Sequence, residues 1–169
     1  MRSLSAVIGF VLVASASNVR QKGSACSLLT VAEIGSIVGA KAGEPQANDA
    51  VTPANGQLRS CMWPVQSDKG GLTVGIGLLP PGTTGAAITK KNAGMDALRK
   101  AKYTFVEKDY ANAYCSIASP PASVKDGVFL SSCGGGTGTI VSVAYMSGTR
   151  KLTLEQVKAL FDKASSRQR

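Results

Sequence analysis

The sequence predicts an α+β fold: an antiparallel sheet of about five to six strands, helices packed on it, and two disulfides. Three observations carry that expectation. Helical and strand-like periodicities follow one another as helix, two strands, helix, several strands, helix. The later strand runs are joined by short turn signals, which rules against a doubly wound parallel sheet, whose neighbouring strands need crossover helices. Four cysteines follow an export-like N-terminus, and an even count in an oxidising compartment argues for disulfide pairing.

The first helix is expected from Val31 to about Val38. Thr30 and Glu33 form a capping box, Leu29 can staple onto Ile34, and Gly39 is placed to end the helix in the left-handed conformation. Val31, Ile34, Ile37 and Val38 recur at helical spacing and face a core. Residues 41–58, rich in Ala, Gly, Pro, Asn and Asp, have no period and read as an exposed loop.

Two strands are expected next, Ser60 to Val65 and Leu72 to Leu79. In the second, Val74, Ile76 and Leu78 share one face against Gly75 and Gly77 on the other, leaving a bare face that can admit another backbone or a helix. Pro80, Pro81 and Gly82 end it. Thr84 to Ala101 reads as a helix organised by Ile88, Met95 and Leu98 and weakened by Gly94. Tyr103 to Glu107, Ala111 to Ala118, Gly127 to Cys133 and Thr139 to Met146 are four further strands. Turns are expected at Pro120 to Gly127 and at Gly134-Gly135-Gly136. The last helix starts at Thr153 with Gln156 as capping partner, and presents Leu154, Val157, Leu160, Phe161 and Ala164 to the core.

Residues 1–16 read as a signal peptide. Arg2 supplies the charged start, Leu4 to Val13 the apolar run, and Ala14-Ser15-Ala16 the small-residue cleavage site, so the mature protein begins at Ser17. A lead over 17–25 and a single domain over 26–169 complete the organisation. Localisation is expected to be periplasmic or secreted, with no transmembrane anchor, since the apolar run is too short to span a bilayer. Gly23-Ser24-Ala25 before Cys26 suggests a lipid-attachment site, but Arg20 and Lys22 separate it from the apolar run and Gly23 stands where Leu is usual. Soluble export is therefore expected.

Cys26, Cys61, Cys115 and Cys133 allow three connectivities. Cys115 and Cys133 lie in successive strand runs that form a hairpin, where cross-strand Cβ atoms come within bridging distance. Cys26 with Cys61 then follows by elimination. Zinc fits poorly, because the chain has no His and no C-x-x-C pair.

The 169-residue chain carries a formal charge of +9, which biases it towards acidic partners. Lys90, Lys91, Arg99, Lys100, Lys102 and Lys108 are interleaved with Asp96, Glu107 and Asp109, so a solvated face is expected there and nucleic-acid binding is not favoured. With no His, the Ser-His-Asp and Cys-His mechanisms are excluded within the chain. None of the ten acidic residues pairs in a pattern that divides acid from base roles. No catalytic, cofactor-binding or metal-binding residue is assigned, and no cofactor is expected. Cys133 to Gly138 invites a phosphate-cradle reading, yet it lacks the Lys and Ser/Thr ending of a P-loop and no helix follows, so a hairpin connection is expected. Trp63, next to Cys61 in a strand, is expected to pack over a disulfide in the core. Tyr103, Phe105, Tyr110 and Tyr114 are read as core or strand-pair residues.

The pattern C-x-L-L-T-x-x-E-I from Cys26, then Gly39, then Cys61-x-Trp63, resembles the opening of small exported bacterial domains of unknown function, including actinobacterial lipoproteins. The resemblance covers about residues 26–63. It implies a Cys26–Cys61 bridge, a fold like the PsbP-type α/β/α sandwich, and a binding or assembly role. Together with the charge and the missing catalytic groups, this gives the expected function: a non-catalytic exported module binding an envelope protein or an anionic ligand. The alternative is an inhibitor or immunity-type protein that occludes an exported toxin or hydrolase.

Overall fold

The structure is a computed structural model that describes residues 24–48, 59–66 and 70–168. The expected signal peptide and its cleavage at Ala16 lie outside the described residues, as does all but the end of the lead.

A capped short helix opens the fold, for the reason its sequence suggests. In α1 (Val31–Val38) the Thr30 side chain accepts from the Glu33 N–H while the Glu33 carboxylate accepts from the Thr30 N–H, and Gly39 ends the helix at φ 73°. Leu29 and Ile34 are both buried at its entry. Just before it, a 3-10 turn at Ala25–Ser27 is bonded to the sheet through Cys26–Cys61. With its Sγ committed to that bridge, Cys26 has no thiol for a lipid thioether.

Among the described residues, seven strands form one antiparallel sheet: β1 (Gln46–Asn48), β2 (Arg59–Val65), β3 (Gly70–Leu78), β4 (Thr104–Tyr110), β5 (Ala113–Ser119), β6 (Phe129–Gly135) and β7 (Thr139–Ser147). Their order is β1-β2-β3-β7-β6-β5-β4, with every neighbouring pair antiparallel. The sheet exceeds the expected size because residues 46–48, read as loop, add an edge strand. Three residues pairing with Met62, Cys61 and Ser60 are too few to carry a period in sequence.

The helix expected over Thr84 to Ala101 is two helices, α2 (Gly85–Lys90) and α3 (Ala93–Lys100). The chain turns at Lys91 and Asn92, where the Asn92 N–H donates to Thr89 and the Asn92 carbonyl accepts from Met95. Asn and Gly are poor helix formers, and Asn92 and Gly94 stand two apart at this turn. Helix α4 (Leu154–Arg167) starts with the expected capping box between Thr153 and Gln156.

The pleat sends alternate residues to two different layers. Cys61, Val74, Val143, Cys133 and Cys115 stand in register on one face across β2, β3, β7, β6 and β5, all buried. Val157, Leu160, Phe161 and Ala164 of α4 complete this core with Ile34 and Val38 of α1. Trp63 lies in the same layer as both disulfides, fully buried. Helix α2 lies against β5, β6 and β7 on the other face. There a Cβ on Gly134 would fall 2.1 Å from the Thr89 hydroxyl oxygen.

Candidate functional site

The run from Cys133 to Gly138 positions the candidate site, though not as a triple-glycine turn. Gly134 and Gly135 continue strand β6, and the reversal falls on Gly136 to Gly138, with φ 110° at Gly136 and 71° at Gly138. Gly85, the first residue of α2, can rest on β6 because it has no Cβ, and Gly135 in turn leaves room for Asn112 and Phe161 on its other side. A Cβ on Gly85 would meet the Gly135 carbonyl oxygen at 2.4 Å, and a Cβ on Gly135 would meet the Asn112 carbonyl oxygen at 2.1 Å. The approach is fixed by backbone hydrogen bonds: the Gly85 N–H donates to the Gly136 carbonyl at 2.8 Å, and the Gly136 N–H to the Asn112 carbonyl at 3.3 Å. These two amides are therefore committed to carbonyls, and the loop is a hairpin connection as expected, not an anion cradle.

Four elements converge on this hairpin and enclose a pocket of about 490 Å³. They are the start of α2, the β4–β5 turn, the β6–β7 hairpin and the last turns of α4. Buried Gly135, Val141 and Phe161 supply its floor. Half-buried Thr139, Ser165 and Gln168 form walls, and exposed Thr84, Asn112 and Thr137 form the rim. Among the described residues, none that lines the pocket carries a charge. The Gln168 Oε1 is buried and accepts no hydrogen bond. The volume falls within the range of roughly 300–1,000 Å³ typical of small-ligand pockets, and an apolar floor with a few polar groups is their usual composition.

The residues singled out in the sequence sit elsewhere, in structural roles. Cys26 pairs with Cys61 and Cys115 with Cys133, the latter two directly opposite in register. Two cations of the basic cluster pair with its own acids. Lys90 lies 2.8 Å from Asp109, Arg99 pairs with Glu107, and the Arg99 guanidinium also sits 4.3 Å from the Phe105 ring centre. Tyr114 is buried and donates to Glu107 at 2.5 Å. Burial first, then this hydrogen bond, pushes its phenol well above the ordinary range. Lys108 and Lys158 both cap the Tyr110 ring, at 4.9 and 5.0 Å from its centre.

In the last turn of α4, Arg167 clasps Glu33 with both terminal guanidinium nitrogens at 2.7 Å. The Arg167 hydrogen bonds, helped by those from Thr30, outweigh burial and hold the Glu33 carboxyl down to about 2. This clasp ties α1 to α4, reinforced by the Gln156 amide donating to the Ile37 carbonyl at 2.8 Å.

Sequence reasoning did not find the pocket residues. Asn112, Thr139, Ser165 and Gln168 are neutral, come from three separate places in the chain, and follow no motif. Only the glycine run at 134–136 marked the place.

No family model and no curated protein matches the chain. Its fold is similar to that of the extracellular domain of PknH from Mycobacterium tuberculosis, with a TM-score of 0.53 at 10% identity, covering 84% of this chain and 93% of that one. At that identity the likeness establishes the fold alone. Among the described residues, no helix is long and apolar enough to cross a membrane.

Proposed function

We propose that the chain is an exported, non-catalytic binding module for an envelope component, a protein or an anionic ligand drawn by its positive charge, with the pocket beside the β6–β7 hairpin as the contact for an uncharged group of that component. The pocket carries this reading: it joins an apolar floor to neutral polar walls, and its described lining residues include no carboxylate, amine or thiol to serve as acid, base or nucleophile. Two disulfides, the signal-like first sixteen residues and a fold shared with an extracellular domain support export. The net positive charge, +9 for the whole chain less the one of Arg2 once residues 1–16 are removed, supplies long-range attraction, and the pocket supplies discrimination.

The test is retention of envelope components on immobilised mature protein beginning at Ser17, beside a Ser165→Phe variant that fills the pocket. Wild-type protein should hold a component whose capture weakens as salt is raised, and the variant should hold about tenfold less. Equal retention by both proteins would remove the pocket from the function. Turnover in an esterase, amidase or glycosidase panel would overturn the non-catalytic reading.

A further inference from the structure

We infer that the pocket is built for an uncharged, hydroxyl-rich ring, a neutral saccharide unit of a mono- or disaccharide; this rests on the reading of the pocket as a binding site. Three observations select that class. First, the polar side chains on the lining are all hydroxyls or carboxamides, which both donate and accept hydrogen bonds, as sugar hydroxyls do. The side chains of Asn112, Thr137, Thr139 and Ser165 make no hydrogen bond to other described residues, and the Gln168 Oε1 is buried without a donor. A buried acceptor left unpaired is costly, and a ligand hydroxyl would supply its missing donor.

Second, the charge pattern turns away ionic ligands. With no Lys or Arg among the described lining residues, and the Gly85 and Gly136 amides already donating to carbonyls, a phosphate or carboxylate would lose its hydration without a compensating cation from them. An ammonium group would find no carboxylate among the same residues. Third, β6 lies between β5 and β7, and β7 between β6 and β3, so the strands that line the pocket offer no free edge to an extended peptide. What remains is a compact ligand with hydroxyls around its rim and an apolar face for the floor of the pocket, and a sugar ring has both.

The experiment titrates ¹⁵N-labelled mature protein with cellobiose, maltose and N,N′-diacetylchitobiose, with glucose 6-phosphate as a charged comparator and benzyl alcohol as an apolar one. At least one neutral disaccharide should shift the amides of Gly135, Gly136, Thr137 and Phe161, and bind about tenfold more tightly than glucose 6-phosphate. The shape-preserving variants Thr139→Val and Gln168→Leu should each weaken that disaccharide by about tenfold without lowering the melting temperature, because they remove hydrogen bonds made only to ligand. If benzyl alcohol or glucose 6-phosphate shifts these amides and no disaccharide does, the saccharide inference falls while the binding site stands. If no probe shifts them and the pocket-filling Ser165→Phe variant retains envelope material as wild type does, both fall. Binding unchanged in Thr139→Val and Gln168→Leu would likewise overturn the assigned contacts.

Discussion

The two faces of the sheet are built from the same strands yet buried very differently. Under α1 and α4, Cys61, Val74, Val143, Cys133 and Cys115 form an apolar line from which solvent is shut out. One residue along each strand, the other face shows Met62, Thr73, Ala144, Ser132 and Ser116, a line of mixed polarity. Helix α2 lies against β5, β6 and β7, while towards β2 and β3 Met62 and Met146 are 41% and 50% exposed. The difference assigns separate tasks. The α4 face supplies most of the folding energy, and the small residues of the α2 face let a helix backbone settle close to the hairpin that shapes the pocket.

The largest test of that division is Leu160→Ala, which empties a fully buried position in the α4 layer. Loss of transfer energy and an unfilled cavity together should cost about 2–5 kcal/mol, measured as a drop in the urea midpoint with unchanged slope. A cost under about 1 kcal/mol would mean that α4 is not the main cover of the core.

A smaller effect is expected where α1 meets α4. The Glu33 carboxyl titrates at about 2 in the folded chain against an ordinary value of 4.5. The unfolded chain therefore binds this proton at higher pH than the folded chain. The contribution is fully present above about pH 4.5 and is lost as pH falls through about 2. Allowing for solvent screening of this surface pair, it should amount to about 1–2 kcal/mol. Urea melts of wild type and Glu33→Gln between pH 6 and the acid limit should converge as pH falls. Parallel curves would show that the clasp adds no pH-dependent stability.

Legibility in the sequence follows the same division. Elements of the α4 face announce themselves, because a buried layer imposes a strict period: Cys61-x-Trp63-x-Val65 and Leu72-x-Val74-x-Ile76 read directly as strands, and the Cys115–Cys133 bridge follows from pairing them in a hairpin. Both capping boxes were equally visible, being local chemistry over four residues. The α2 face was not, since glycines, serines and threonines carry little period. The break at Lys91–Asn92 is not legible there, the turn lies at Gly136–Gly138 and not at Gly134–Gly136, and at the far edge of the sheet the strand at 46–48 is too short to show a period. The pocket was least legible, because its chemistry comes from neutral residues brought together by tertiary contact.

The smallest predicted effect sharpens the comparison most. Met62 lies beside Gly71, where a Cβ would stand 3.7 Å from the Met62 Cγ, and Gly71 pairs with Met146 on its other side. Replacing both methionines by Thr removes exposed apolar surface and places a β-branched residue on a strand, so lost contact and gained strand propensity oppose each other. The double variant should stay within about 0.5 kcal/mol of wild type in urea melts, although the chemically similar loss at Leu160 is several times larger. If the two variants cost the same, the faces are equally packed and the division of tasks between them fails. If Met62→Thr/Met146→Thr is neutral while Leu160→Ala is severe, burial beneath α4, and not apolar character alone, sets the contribution of each strand residue.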